Sequence, residues 1–239
     1  IIMKIALIGY GKMGKMIEKI ALDRNHKISY VIDIDNINDI DKISPSNTDV
    51  VIEFTHPESA FNNVSKCLSN KINVVSGTTG WNDHLDKAKE LALANNVAFL
   101  WSSNFSIGVN VFFKLNEYLA QLMNKFDNYE PSIKEIHHIH KKDAPSGTAI
   151  TLAEGLLKNF KHKKKWELNS DSPENISITA ERTDEVPGTH IVKYDSNVDY
   201  IEITHCAKSR EGFAMGAVIA AEFLKGKKGI FTMNQVLGF

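Results

Sequence analysis

A glycine-rich turn near the start of the chain constrains the fold more than any other feature of the sequence. The apolar run Met3 to Ile8 is typical of a buried strand, and it leads into Gly9-Tyr10-Gly11-Lys12-Met13-Gly14. Apolar residues at helical spacing follow, from Met16 to Leu22. In a strand–turn–helix of this kind, the glycines allow a tight turn and let a pyrophosphate approach the backbone at a helix N-terminus. The pattern predicts a dinucleotide-binding unit; the alternative is a glycine turn that binds nothing.

An acidic residue follows the second predicted strand. Ile28 to Ile32 ends at Asp33, about 20 residues beyond the glycines, where a carboxylate in such units bonds the ribose diol. A carboxylate at this position repels a ribose phosphate, which favours NADH. Lys12 in the turn can contact a phosphate, which complicates the choice. The sequence therefore predicts NADH or NADPH as the cofactor, with NADH favoured.

Strand and helix patterns continue to alternate as far as Trp101. Further strands are predicted at Asp49–Phe54, Ile72–Val75 and Val97–Trp101, with helices between them. This alternation predicts an α/β fold with a Rossmann-like doubly wound parallel sheet, whose ligands lie beyond the carboxyl ends of the strands. The loops expected at that edge are Gly9–Gly14, Phe54–Pro57, Gly77–Gly80 and Ser102–Ser106.

The pattern changes after Ser106, where a long amphipathic helix leads into a different kind of domain. Strands predicted near Ile176–Glu181, Thr189–Tyr194 and Tyr200–His205 form a mostly antiparallel sheet in a second, α+β domain. We expect a dinucleotide-binding domain at 1–104 with a C-terminal return at 214–239. A substrate-binding and oligomerisation domain is expected at 105–213.

Two surface features of this second domain carry predictions. Ile201 and Ile203 share one face of a half-exposed strand, and burial of that face against another copy predicts a homo-oligomer. The charge run Lys161 to Lys165 is interpreted as the solvated end of a helix.

The run Glu135 to Ala149, EIHHIHKKDAPSGTA, concentrates groups that can do chemistry. Its histidines and lysines can donate and accept protons near neutral pH. Its Pro-Ser-Gly-Thr segment predicts a helix start, where backbone N–H groups and the helix dipole attract an anion. A small anionic substrate that requires a proton suits both properties. The alternatives are a solvated loop with an ordinary helix cap, and a metal site.

The metal alternative is disfavoured, and no metal is predicted. The His-x-x-His spacing is the only hint of one, and Cys67 and Cys206 lie far from it in sequence. The cysteines are not in a CxxC arrangement, which is compatible with a reducing cytoplasm. A formal net charge of -1 gives no indication of a nucleic-acid or membrane partner, and no apolar run is long enough to cross a bilayer.

The EIHHIHKKDAPSGTA run resembles the signature of the dihydrodipicolinate reductase family. The resemblance extends over the whole chain, because other motifs follow the family's order: GYGKMG, EFTHPES, SGTTG, SSNFSIGVN, VPGTH, IEITHCAKSR and FAMGAV. It implies a Rossmann domain with a C-terminal return, a central substrate-binding and tetramerisation domain, and the use of NADH or NADPH. It also implies reduction of a cyclic imine dicarboxylate, 4-hydroxy-tetrahydrodipicolinate, to tetrahydrodipicolinate in lysine and diaminopimelate biosynthesis.

The same resemblance implies roles for individual residues. His137 would be the proton donor and acceptor, and Lys141 a proton donor, while His138, Gly147 and Thr148 would hold substrate carboxylates. Thr79 would lie near the substrate as well as the cofactor. The cofactor contacts implied are Gly9, Tyr10, Gly11, Lys12, Met13, Gly14, Asp33, Gly77, Thr78, Thr79, Ser103, Asn104, Phe105 and Ser106. Adjacent strand residues point to opposite faces, so His137 and His138 can share a site only where the strand has given way to a loop.

Two rival functions are compatible with a Rossmann unit. An oxidoreductase acting on an aldehyde or a sugar would need an acyl nucleophile or a Lys/His pair elsewhere, and Cys67 and Cys206 lie in ordinary sequence settings. A dinucleotide sensor without catalytic activity would need no proton donor. The dense run of histidines and lysines therefore favours the reductase.

Overall fold

The chain folds into two compact units in the computed structural model, which describes residues 2–239. The first unit extends to Ile107 and is completed by Glu211–Phe239, and the second unit is Gly108–Arg210. These divisions lie a few residues from the domain boundaries predicted after residues 104 and 213.

The elements follow one another along the chain in the order β1 (Lys4–Ile8), α1 (Lys12–Asp23), β2 (Lys27–Ile32), β3 (Val50–Glu53), α2 (Pro57–Ser69), β4 (Asn73–Ser76), α3 (Leu85–Ala94), β5 (Ala98–Trp101), α4 (Ile107–Met123), β6 (Glu130–His137), α5 (Gly147–Asn159), β7 (Lys165–Leu168), β8 (Asn175–Arg182), β9 (Thr189–Asp195), β10 (Tyr200–Cys206), α6 (Glu211–Leu224), β11 (Gly229–Phe231) and α7 (Met233–Leu237). Two 3₁₀ helices, Ile34–Lys42 and Asn82–His84, occupy the loops after β2 and before α3.

The first unit is built on a parallel sheet of six strands in the order β11-β5-β4-β3-β1-β2. Helices cover both faces: Ile17 of α1 and Ala217 of α6 pack in one core cluster, and Val64 of α2 and Ala88 of α3 pack in another. A strand covered on both faces buries its side chains on both sides, and β3 is accordingly buried at every residue from Val50 to Glu53. The predicted doubly wound sheet is confirmed.

The second unit is built on a mixed sheet of five strands in the order β10-β9-β6-β8-β7. β6 pairs with β9 and β9 with β10 in antiparallel fashion, whereas β8 pairs in parallel with both β6 and β7. The prediction of a second α+β domain is confirmed, with antiparallel pairs in one half of its sheet. Leu152 and Leu156 of α5 pack with Ile133 and Val192 of the sheet in a single core cluster.

The interpretation of Lys161 to Lys165 as a solvated helix end is wrong for part of the run. α5 ends at Asn159, and Lys165 begins β7, which the sequence patterns did not predict. The Lys163 side chain is only 1% exposed, and its ammonium bonds the Glu130 carboxylate and the Pro173 carbonyl. Burial of this lysine depends on two partners that are distant in sequence, so a local charge pattern could not indicate it.

The edge strand β10 remains open to solvent along much of its length. Tyr200 and Ile201 are exposed, while Ile203 packs against the core cluster of the second unit. No helix among the described residues is long and apolar enough to cross a membrane.

Candidate active site

The glycine turn of the first unit is shaped by steric contacts that exclude side chains. Gly9 has a φ of +92°, and a Cβ there would lie 2.0 Å from the Phe54 carbonyl oxygen. A Cβ at Gly14 would lie 2.2 Å from the Gly9 carbonyl oxygen. Gly11 differs, because a Cβ there would have no atom within 4 Å. Two of these glycines are thus required by the protein's own backbone, and the third faces open space.

A cavity of about 720 Å³ lies at the carboxyl ends of the strands beside this turn. Volumes of this size are typical of sites for cofactors and small ligands. The predicted cofactor residues that line it are Gly9, Tyr10, Gly11, Lys12, Met13, Gly14, Asp33, Gly77, Thr78 and Thr79. Ser103, Asn104, Phe105 and Ser106 are not part of its lining. Phe105 instead belongs to the core cluster under α6, with its ring centroid 5.8 Å from that of Phe54.

The donor set around this cavity fits a dinucleotide. Gly11 is the N-cap of α1 without a side-chain cap, so the turn offers backbone N–H groups and the positive end of the helix dipole to a phosphate. Asp33 directly follows β2 and is exposed, and its Oδ1 accepts a bond from the Ile34 N–H at 3.0 Å. A carboxylate has further acceptor sites, which suit the hydroxyls of a ribose.

A buried carboxylate that the sequence analysis missed supports the rim of the cavity. Glu53, the last residue of β3, is fully buried and accepts bonds from the Thr55 N–H at 2.9 Å and the Thr78 hydroxyl at 2.6 Å. Its other oxygen accepts the Ser76 hydroxyl at 2.6 Å. Glu53 thereby fixes the ends of β3 and β4, where Thr55 and Thr78 line the cavity. The sequence did contain a signal for this buried carboxylate, because an acidic residue stands at the end of an otherwise apolar strand.

In the second unit, strand alternation places two chemically active side chains on one buried face. β6 alternates between buried and part-exposed residues, so Glu135 and His137 lie on the same side. β6 ends at His137, and His138 is the first residue of the following loop. His138 is therefore released from the alternation that would turn it away from His137.

Glu135 is the centre of this buried group. It is fully buried, and its Oε1 accepts bonds from the Ser146 N–H and from Arg182, each at 3.1 Å. Its Oε2 lies 3.3 Å from Nδ1 of His137. Burial alone would raise the pKa of the Glu135 carboxyl, but His137, the Ser146 N–H and Arg182 together lower it to about 2. Glu135 is thus a buried anion at neutral pH.

A second buried histidine completes the group. The rings of His137 and His190 meet edge to face with centroids 5.0 Å apart, and Nε2 of His190 lies 3.1 Å from the Ser146 hydroxyl. Burial, followed by the charge of His137, lowers the pKa of His190 to about 3. His190 is consequently neutral at pH 7.

Glu135, His137 and His190 place potential metal-ligating atoms within 4.8 Å of one another. The guanidinium of Arg182, however, bonds the same carboxylate at 3.1 Å, and a cation there would meet its positive charge. The arrangement suits a histidine oriented by a neighbouring carboxylate better than a metal ion.

The loop after β6 holds a lysine in an ion pair. Nζ of Lys141 lies 2.8 Å from both carboxylate oxygens of Asp143. Burial would raise the pKa of the Asp143 carboxyl, but the Lys141 ammonium lowers it below its ordinary value. The neighbouring Lys142 and His140 are exposed.

The predicted anion site begins where this loop ends. The Ala144–Pro145 peptide bond is cis, and α5 starts at Gly147 with Ser146 as its N-cap. The Ser146 hydroxyl accepts the Ala149 N–H at 3.2 Å, and Gly147 is exposed with no atom within 4 Å of an added Cβ. The first turn of a helix leaves N–H groups without intrahelical partners, so this end can receive a carboxylate.

Three residues of this group, Glu135, Arg182 and His190, were not among the predicted site residues. Spacing offered a signal for Glu135, since it lies two residues before His137 and shares its face wherever the two are in one strand. Arg182 and His190 are brought to Glu135 and His137 by strand pairing. His137 lies opposite Arg182, and Glu135 lies opposite His190. No local pattern indicates such pairings.

Acid should destabilise the protein through His190. Its pKa in the folded protein, about 3, is below the ordinary value of 6.5, so the unfolded chain binds a proton that the folded chain does not. The free energy of unfolding should therefore fall as pH decreases below about 6.5, by up to about 1.4 kcal/mol per pH unit for one proton.

Urea unfolding followed by circular dichroism between pH 7 and pH 5 measures this slope. His190→Gln should flatten it, while substitution of the exposed His162 by glutamine should not. If the free energy of unfolding depends on pH equally in the wild type and in His190→Gln, the lowered pKa of His190 is contradicted.

Known proteins match both halves of the chain. The family model described as dihydrodipicolinate reductase, N-terminus, matches residues 3–105, and the model for the C-terminus of the same protein matches residues 108–237. A 4-hydroxy-tetrahydrodipicolinate reductase from Christiangramia forsetii is 52% identical over 98% of both chains. One from Archaeoglobus fulgidus is 35% identical over 98% of this chain and all of its own length.

A solved structure gives the same result for the fold. A dipicolinate-bound dihydrodipicolinate reductase from Paenisporosarcina sp. TG-14 superposes with a TM-score of 0.78 at 21% identity, covering 97% of this chain and 98% of the other. The resemblance inferred from the sequence motifs is thus confirmed along the chain, and this protein belongs to the dihydrodipicolinate reductase family.

Proposed function

We propose that the glycine turn of the first unit binds the reduced dinucleotide and that residues 137–148 of the second unit bind and protonate the substrate. Membership of the family makes the chain an NAD(P)H-dependent reductase of 4-hydroxy-tetrahydrodipicolinate in lysine and diaminopimelate biosynthesis. In that reaction the ring gains a hydride and a proton and loses its hydroxyl as water. Protein groups must therefore bind two carboxylates and control proton transfer.

Dinucleotide binding is assigned to the turn, to Asp33 and to the loop from Gly77 to Thr79. When bound, the reduced nicotinamide supplies the hydride. The α1 N-terminus would neutralise phosphate charge, and Asp33 would accept bonds from a ribose. The roles of Ser103 to Ser106 rest on the family resemblance alone.

Substrate binding is assigned to His138, Gly147 and Thr148, with Thr79 as a further contact. The α5 N-terminus attracts anions, and a cationic or hydrogen-bonding imidazole at His138 complements a carboxylate. Holding the ring by its carboxylates fixes its orientation, which can supply a large part of the rate enhancement.

Proton transfer is assigned to His137 and Lys141. The observation that carries this assignment is that each is held in place by an anion: Nδ1 of His137 lies 3.3 Å from Glu135, and Nζ of Lys141 lies 2.8 Å from Asp143. Orientation of a histidine through one ring nitrogen leaves the other available to exchange a proton. A lysine ammonium has three protons to donate.

Purified protein mixed with NADH and freshly generated substrate tests the proposal directly. Loss of dihydronicotinamide absorbance that depends on both components is expected. Binding of NADH without any turnover would instead support a dinucleotide sensor.

NADH is the proposed physiological cofactor because Asp33 would repel a ribose phosphate. Asp33→Asn should raise the ratio of kcat/KM for NADPH to that for NADH by about tenfold, which corresponds to about 1.4 kcal/mol of removed repulsion. Asp35→Asn is the matched control, since Asp35 is exposed but does not line the cavity. Preference of the wild type for NADPH, or an unchanged ratio in Asp33→Asn, would contradict this assignment.

A homotetramer built through the second unit is also proposed. Exposed apolar residues follow one face of α4, namely Val111, Leu115, Tyr118 and Leu122. Together with the open strand β10 they offer surfaces that association would bury. Light scattering on the purified protein measures the assembly. A cytoplasmic location is proposed as well, in keeping with the free cysteines Cys67 and Cys206.

A further inference from the structure

Arg182, the last residue of β8, directs its guanidinium into the loop that carries Lys141. Its Nη2 donates to the Asp143 carbonyl at 2.6 Å and to Oε1 of Glu135 at 3.1 Å. Its Nε donates to the Lys141 carbonyl at 3.4 Å. The side chain is 20% exposed, so most of the guanidinium is removed from water by these contacts.

These bonds fix the backbone on both sides of the exposed Lys142. Lys141 and Asp143 form the ion pair that presents the proposed proton donor, and Arg182 holds the carbonyl of each. The other contacts of the loop are the Lys141 N–H to the His138 carbonyl at 3.1 Å and the Ile139 N–H to the Asp184 carbonyl at 3.2 Å. At the surface, Nε2 of His140 also lies 3.2 Å from Oε1 of Glu185. Removal of Arg182 would leave the ion pair intact but free to move with its loop.

The same guanidinium also connects the loop to the rest of the proposed site. Oε1 of Glu135 receives both Arg182 and the Ser146 N–H, and Oε2 of the same carboxylate faces His137. One arginine therefore neutralises the buried anion that orients the histidine. It also keeps the start of α5 in register with the proton-donor loop.

We propose that Arg182 is a positioning residue that sets the place of Lys141 relative to His137 and the α5 N-terminus. The inference rests on the roles proposed above for those groups. Only arginine suits the position, because a rigid planar fork can reach a carboxylate and two carbonyls together, whereas the point charge of lysine cannot. A displacement of about 1 Å in such a group can cost about 10²-fold in rate.

Arg182→Lys and Arg182→Ala test the proposal in the full-length protein. Arg182→Lys should lower kcat by about 10²-fold while the dissociation constant of NADH stays at its wild-type value. Millimolar guanidinium should restore part of the kcat of Arg182→Ala, and methylammonium should not. Arg24→Lys is the matched control, because Arg24 forms a two-bond pair with Glu222 at 2.8 Å in the first unit. It should retain wild-type kcat.

Wild-type kcat in Arg182→Lys would overturn the proposal. So would a loss of kcat that matches a loss of folded protein, measured by circular dichroism on the same sample. Lys141→Ala and His137→Ala separate this result from failure of the proposed function. If they reduce turnover while Arg182→Lys does not, only the positioning role fails; if they leave turnover intact, the proton-transfer assignment itself fails.

Discussion

Replacing Lys141 with alanine should reduce kcat by about 10²- to 10⁴-fold, the usual contribution of a positioned acid or base. The dissociation constant of NADH should not change, because Lys141 lies in the second unit and the dinucleotide is assigned to the first. Steady-state kinetics and fluorescence titration with NADH measure the two quantities separately. The ammonium is lost without disturbing the core, since Lys141 is only partly buried and Asp143 remains exposed to water.

His137→Ala should reduce kcat to a similar extent but with an added loss of stability. Removing the imidazole takes away the group 3.3 Å from Oε2 of the buried Glu135, so this carboxylate keeps only the hydrogen-bond partners of its Oε1, Arg182 and the Ser146 N–H, and loss of a partner for a buried anion is costly. Comparing Lys141→Ala with His137→Ala therefore separates a loss of kcat alone from a loss of kcat accompanied by a loss of stability.

Lys142→Ala is the control for both variants, because Lys142 is adjacent in sequence, carries the same charge and is exposed. It should retain wild-type kcat. Equal losses of turnover and of NADH affinity in Lys141→Ala would mean that the residue supports folding rather than proton transfer.

Gly11→Ala should weaken dinucleotide binding by about 10²-fold, equivalent to about 3 kcal/mol, without lowering the stability of the free protein. An added Cβ at Gly11 has no atom within 4 Å, so the protein itself accommodates it. The methyl would instead occupy space that a phosphate needs when it approaches the turn. Gly14→Ala cannot serve this purpose, because its Cβ would lie 2.2 Å from the Gly9 carbonyl oxygen and distort the turn with or without a ligand.

Gly147→Ala is the matched variant in the second unit. Gly147 lies at the start of α5, and a Cβ added there would also have no atom within 4 Å. It should raise the KM for the dicarboxylate and leave the dissociation constant of NADH unchanged. Calorimetric titration with NADH and thermal unfolding of each variant measure the outcomes. Unaltered NADH affinity in Gly11→Ala would show that the turn is only structural.

Local sequence patterns predicted the features that depend on near neighbours in the chain. The strand before Gly9, the glycine turn and the start of α1 lie within a few residues of one another, and their geometry follows from backbone sterics and helix termini. The same holds for the Pro-Ser-Gly-Thr segment as the start of α5. These features indicated the two segments that are proposed to bind ligands.

Contacts between distant residues were decided by the tertiary structure. Arg182 and Glu135 are 47 residues apart, and they meet because β8 pairs with β6 in a parallel register that sets His137 opposite Arg182. Burial of Lys163 and the packing of Phe105 under α6 depend in the same way on long-range partners. The sequence by itself determined which loops are proposed to carry the chemistry, because turn and cap preferences are local. Only the register of strands far apart in sequence determined which buried charges hold those loops in place.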